Sequence, residues 1–161
     1  MTMPWLYVTS VAAHVLAAIV WVGGMAFFAL IVVPIMRQRG YSDAGTTLLR
    51  QAGTRFRVVS WTCLAVLVAT GATNLAFRGV GIAEMTSTQF WRTSFGATLL
   101  AKLGFVMASI VTTAWHERGM FVGAEITPAM RRRASLLGRA TMLLSVAAVL
   151  AAIILVRGTP W

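Results

Sequence analysis

Four long apolar stretches constrain the fold of this chain more than any other feature. A helix needs about 20 residues to cross a bilayer, because each residue adds about 1.5 Å to its length. Stretches of this kind lie at residues 5–33, 58–77, 95–115 and 138–156. The mean hydropathy of +0.80 is also far above that of an ordinary soluble domain. The sequence therefore predicts an integral membrane protein.

The predicted fold class is all-α, because backbone polar groups in lipid must be satisfied within the chain. A chain of 161 residues has no room for a soluble domain beside four spans. Short connections make neighbouring spans antiparallel, which predicts one domain, an up-down four-helix bundle. Pro34 should close the first span, and residues 34–57 should form a loop with a short interfacial helix that Ser42 or Asp43 caps.

The basic residues predict the topology. Ten arginines lie in two segments, one before the second span and one before the fourth: Arg37, Arg39, Arg50, Arg55 and Arg57, then Arg118, Arg131, Arg132, Arg133 and Arg139. The positive-inside rule places both segments in the cytoplasm and both termini outside, which is the periplasm for a bacterial inner membrane. Because these arginines flank spans, the expected partner is the anionic lipid surface rather than nucleic acid.

The first span should remain in the mature protein. No Lys or Arg precedes it, and its apolar run is about twice the length of a signal-peptide core. The single cysteine, Cys63, excludes an intrachain disulfide and is interpreted as a small apolar side chain of the second span.

Only two ionisable side chains lie well inside the predicted spans, His14 and Lys102. A charge at the centre of a spanning helix costs about 2.5–3.5 kcal/mol on insertion scales, so each one raises a functional question. In the predicted topology His14 lies about 13 Å below Trp5, and Lys102 lies about 10 Å below Phe95. The two side chains are therefore expected at a similar depth in the outer leaflet, although Lys102 could also extend toward the headgroups.

The second span brings further polar groups to this depth. Thr70 and Asn74 are four residues apart and share a helix face. The sequence therefore predicts an outer-leaflet cofactor site formed by His14, Lys102, Asn74 and Thr70.

A stripe on the first span begins at His14 and continues through Trp21, Met25 and Phe28. Such a stripe is typical of a bundle core, but it also places Trp21 beside the predicted cofactor site. For a metal ion, the predicted ligands are the imidazole of His14 and the thioether of Met25, with Asn74 as the alternative second ligand. His116, some 20 Å or more from His14, is interpreted as a C-terminal cap or interfacial group.

Three segments resemble the CopD family of bacterial copper-resistance membrane proteins: "HVLAAIVWVGGMAFFALIVVP", "RFRVVSWTCLAVLVATGATNLAF" and "TSFGATLLAKLGFVMASI". The resemblance covers roughly residues 10–120 and marks His14, Trp21, Gly24, Pro34, Gly71, Asn74, Gly96 and Lys102. It implies that the protein binds or moves copper at the inner membrane.

A more distant likeness is to four-helix membrane protoporphyrinogen oxidases of the HemJ type. These also combine a His in the first span and a Trp seven residues later with a basic residue in the third span. This likeness implies a b-type haem that is ligated by His14, with Lys102 near a propionate.

Three hypotheses follow. The protein could handle copper, or it could be a small haem b cytochrome that exchanges electrons with quinone. It could also be an accessory subunit of a larger membrane complex or a homo-oligomer. No nucleophile–base motif, phosphate loop or acid pair occurs. The one enzyme class left open is therefore a membrane haem oxidoreductase.

Overall fold

The computed structural model describes residues 4–38, 43–120 and 128–157, and within these ranges it contains helices and no strand. The α-helices are α1 (Pro4–Phe27), α2 (Val33–Gln38), α3 (Asp43–Phe77), α4 (Ile82–Thr86), α5 (Thr88–Arg92), α6 (Ser94–Met120) and α7 (Pro128–Arg157). Four segments are long and apolar enough to cross a membrane: Trp5–Ile35, Thr47–Phe77, Ser94–Trp115 and Leu136–Val156. The prediction of an all-α fold is confirmed, and four of its segments have the length and apolar character that spanning helices need.

The chain divides into two compact units, unit 1 (Met1–Glu84) and unit 2 (Met85–Trp161). In unit 1, α1 packs against α3, and in unit 2, α6 packs against α7. Each unit is thus built on one pair of long helices.

The apolar segment of the first span ends at Ile35, close to the predicted end at Pro34, but the helix itself continues to Gln38. A π-helical turn, Phe28–Val32, joins α1 to α2. The N–H of Val33 closes this turn by donating to the carbonyl oxygen of Phe28, five residues earlier. Proline lacks an N–H, and in a regular α-helix its ring collides with the carbonyl group four residues earlier. The wider π turn just before Pro34 lets the helix continue past the proline.

The second span is also longer than predicted. The expected loop with a separate interfacial helix is replaced, from Asp43 onward, by one continuous helix of 35 residues, α3. No proline interrupts this segment, and the ring of Phe56 packs against that of Phe28 with centroids 5.2 Å apart. Three arginines of the first basic segment, Arg50, Arg55 and Arg57, therefore lie in the N-terminal half of α3, whereas Ser42 lies outside the described residues.

α3 ends in a Schellman motif at Gly79. The N–H of Gly79 donates to the oxygen of Ala76, and the N–H of Val80 donates to that of Leu75. Gly79 has φ +75°, the left-handed conformation that this motif requires. The glycine that the sequence places after the second span is therefore the residue that terminates its helix.

Two aromatic pairs fix the antiparallel register of α1 and α3. Tyr7 packs against Phe77 with ring centroids 5.5 Å apart, and Phe28 packs against Phe56. Along each of the two helical segments, 21 residues separate the aromatic positions: Tyr7 from Phe28, and Phe56 from Phe77. This separation corresponds to about 31 Å of helix. This spacing matches a hydrocarbon core of about 30 Å.

The segment between the second and third spans is tied by local hydrogen bonds. The carboxylate of Glu84 accepts the N–H of Gly81 at 2.8 Å, and backbone N–H donors lower the pKa of this exposed carboxyl group. The indole of Trp91 donates to the oxygen of Met85 at 2.8 Å. Thr93 caps α6, because its Oγ1 accepts the N–H of Gly96 at 3.0 Å.

Small and hydroxyl-bearing residues form the contact between α6 and α7. Ser109 and Ser145 are fully buried, and each donates to a carbonyl of its own helix. The hydroxyl groups of Thr141 and Thr112 lie 2.9 Å apart across the pair. Small side chains allow close approach of helices, and hydroxyl groups add hydrogen bonds between them.

Candidate functional site

The imidazole of His14 contacts the second span directly. Its Nδ1 lies 2.8 Å from Oγ1 of Thr70, and the ring is partly buried between α1 and α3. His14 follows Tyr7 by seven residues and Thr70 precedes Phe77 by seven, so both lie about 10 Å along their helices from the Tyr7–Phe77 pair. The structure therefore brings together two of the four predicted cluster residues, at the depth that the helix geometry predicts.

A glycine lies beside the imidazole, and a serine contacts the same threonine. A β-carbon at Gly71 would lie 3.5 Å from Cε1 of His14, so the ring packs over the α3 backbone at this position. One turn earlier on α1, the hydroxyl of Ser10 lies 3.5 Å from the carbonyl oxygen of Thr70. The polar contacts between α1 and α3 thus converge on Thr70.

Asn74 lies one turn beyond Thr70 on α3. Its Oδ1 is buried, and no hydrogen-bond donor reaches it from the part of the chain that the structure describes. A buried carbonyl oxygen without a donor costs about 1–3 kcal/mol. Asn74 therefore offers an acceptor to a group that brings its own N–H or O–H.

Trp21 and Met25 lie further along α1. Trp21 is only 3% exposed, so it belongs to the core of the helix contact. Met25 is eleven residues from His14 on one continuous helix, which separates them by about 16 Å. The predicted pair of metal ligands in one chain, His14 with Met25, is therefore incompatible with a single ion.

Lys102 lies on α6 of unit 2, where it is partly buried. Its grouping with His14 remains a prediction. The side chain of His116 lies outside the described residues. Across the residues that the structure describes, no group of three or more His, Cys, Asp or Glu side chains is placed to hold a metal ion.

Sequence reasoning missed Ser10 as a neighbour of the site. Its position four residues before His14, on the same helix face, was the available signal. It also missed the buried hydroxyl groups of unit 2, where Oγ1 of Thr113 is buried without a hydrogen-bond partner among the described residues. Serine and threonine are common in spanning helices, so their identity alone did not single them out.

No protein-family model matches this chain, and no curated protein or solved structure is significantly similar to it. The likeness to CopD and HemJ proteins accordingly rests on the motifs quoted above. What the structure defines is the class, an all-helical protein with four helices able to cross a membrane.

Proposed function

We propose that this is a multi-pass membrane protein in which His14 ligates a redox-active metal centre in the outer half of the first span. The proposal places both termini outside a bacterial inner membrane and arranges the four spans as an up-down bundle. The observation that carries it is the contact of Nδ1 of His14 with Oγ1 of Thr70 between two helices that are long and apolar enough to cross a membrane.

An anchored imidazole of this kind suits a metal ligand. Histidines that bind metals almost always use their second ring nitrogen in a hydrogen bond, which orients the ring. Here the anchored atom is Nδ1, so the ligating atom would be Nε2. A polar ring inside a span is unfavourable in lipid, and ligation offsets part of that cost.

Haem b is the occupant that the residues fit better. A haem iron brings four nitrogen ligands of its own and needs only one from the protein, often a histidine. The need for a single protein ligand suits His14, which belongs to no group of three or more His, Cys, Asp and Glu side chains among the described residues. Bound haem would supply one-electron exchange, with quinone as the expected partner within the membrane.

Around such a group, the residues of unit 1 would orient and hold it. Thr70 would keep the imidazole plane fixed, and Gly71 would leave the α3 backbone open beside the ring. Oδ1 of Asn74 would accept a hydrogen bond from a protonated group at the rim of the ligand. Lys102 would pair with a propionate, as the HemJ likeness implies.

Copper is the second candidate, and the resemblance to CopD proteins favours it. Three glycines that this resemblance marks occupy close contacts in the structure: Gly24 against Phe56, Gly71 against His14, and Gly96 against the backbone of Phe90. Because Met25 is too far along α1, a copper ion bound by His14 would need a second ligand from elsewhere, such as Asn74 or another chain.

The test is an absorption spectrum of the detergent-purified protein, oxidised and then reduced with dithionite, with copper analysis of the same sample. We expect a Soret band that sharpens on reduction and is lost in His14→Ala but kept in His116→Ala, which removes the other histidine. A colourless protein with copper that His14→Ala removes would establish the copper alternative. A folded protein with neither haem nor copper would overturn the proposal and favour the accessory-subunit hypothesis.

A further inference from the structure

We infer that Thr70 is a positioning residue that fixes the tautomer of His14, with the proton on Nδ1 and the lone pair on Nε2. The tautomer follows from the hydrogen bonds of unit 1. Its use in ligand binding rests on the proposed function.

The hydroxyl group of Thr70 carries a single hydrogen and can donate only one hydrogen bond. Oγ1 of Thr70 lies 2.6 Å from the carbonyl oxygen of Val66 and 3.5 Å from that of Leu67. Carbonyl oxygens only accept hydrogen bonds, so the short contact requires the hydroxyl hydrogen to point at Val66.

With its hydrogen committed, Oγ1 of Thr70 can only accept from His14. Nδ1 of His14 lies 2.8 Å away and must therefore carry the proton. The opposite arrangement would turn the hydroxyl toward Nδ1 and leave two oxygen acceptors 2.6 Å apart with no proton between them. A neutral imidazole protonated at Nδ1 has its lone pair on Nε2.

This arrangement prepares His14 as a ligand before any metal arrives. Metals bind the unprotonated nitrogen of a neutral imidazole, and the partner of the other nitrogen decides which one that is. Removing the group that hydrogen-bonds the non-ligating nitrogen of such a histidine typically lowers metal affinity about 10–100-fold. Thr70, which bonds both the ring and its own helix backbone, is therefore expected to set affinity without touching the metal.

The test reads the tautomer directly in protein without cofactor. Protein labelled with ¹⁵N-histidine and carrying His116→Gln has His14 as its only histidine and can be studied by solid-state NMR in lipid bilayers. At a pH where the ring is neutral, we expect Nδ1 to be protonated and Nε2 unprotonated. Thr70→Val, which keeps the shape and removes the acceptor, should shift population to the Nε2–H form, and Thr70→Ser should retain the original tautomer.

Thr73→Val is the matched control, because its hydroxyl bonds Ala69 of the same helix and its loss should leave the His14 spectrum unchanged. An Nε2–H tautomer in the parent protein, or an unchanged tautomer in folded Thr70→Val, would overturn the inference. Thr70→Val should also weaken the affinity for the metal centre bound by His14 about 10–100-fold, with Thr70→Ser close to the parent. Since the NMR readout needs no cofactor, failure of the proposed function would leave the tautomer result standing.

Discussion

At residue 24, the lack of a side chain lets the ring of Phe56 lie against the backbone of α1. A β-carbon there would lie 2.6 Å from Cζ of Phe56 and even closer to Cε2, well inside van der Waals contact. Phe56 also packs against Phe28, so its ring has limited room to move. Gly23, the next residue, has nothing within 4 Å of the same hypothetical atom. Two adjacent glycines thus have different roles.

We therefore expect Gly24→Ala to destabilise the protein by about 1–3 kcal/mol, the usual range for overpacking. Gly23→Ala should be neutral or stabilising by up to about 1 kcal/mol, because alanine favours a helix. The measurement is thermal unfolding in detergent, followed by circular dichroism. The double variant Gly24→Ala with Phe56→Leu should recover part of the loss, and equal effects of the two glycine substitutions would contradict the interpretation.

At the scale of elements, the start of α6 is fixed by its contact with α5. Thr93 caps α6, and Gly96 in the first turn lies against the carbonyl group of Phe90 in α5. A β-carbon at position 96 would be 2.9 Å from Cα of Trp91, and backbone atoms cannot rotate away as a side chain can. The junction of the short helix with the third span thus depends on a glycine.

We expect Gly96→Ala to displace α5 from α6 and to destabilise the protein by about 1–3 kcal/mol. Gly104→Ala is the matched control, since Gly104 lies on the same helix with nothing within 4 Å of a β-carbon. Thermal unfolding of both variants gives the comparison. Because the chain has six tryptophans, the fluorescence of Trp91 is obtained as the difference between each protein and its Trp91→Phe counterpart. The indole of Trp91 donates to Met85, so this difference reports the displacement. A stable Gly96→Ala protein with unchanged Trp91 fluorescence would contradict this account.

For the whole molecule, the arginine distribution predicts the orientation in the membrane. Most of these arginines lie in the N-terminal halves of two long helices, α3 and α7. Exposed positions on either side of the predicted membrane are available in Ser87, between α4 and α5, and Arg132, near the start of α7. These two positions provide a direct test.

In a Cys63→Ala background, we expect a membrane-impermeant maleimide to label Ser87→Cys in intact spheroplasts and Arg132→Cys only after lysis. The expectation follows from the positive-inside rule, which places both termini outside. Copper or haem content should stay at the parent level in both variants, because neither residue lies at the proposed site. The reverse labelling pattern would show inverted topology and would move His14 to the inner leaflet.

The depth of His14 shows how far sequence reasoning reached. Counting residues from the span ends placed His14 and Thr70 at one level, because the rise of a helix is constant. The hydrogen bond between them could not be counted in this way, since it depends on how α1 and α3 are rotated about their axes. The bounds of the second span were missed for a related reason: Phe56 is held in α3 by Phe28, which is distant in sequence.

The sequence by itself determined the helical class, the four segments long and apolar enough to cross a membrane, and the residues whose polarity would be costly in lipid. Length and composition suffice for these features, because the bilayer acts on each helix separately. Only the tertiary structure decided that Thr70 is the partner of His14 and that the helix continues through Pro34. Those outcomes depend on contacts and hydrogen-bond geometry between specific atoms, which hydropathy does not encode.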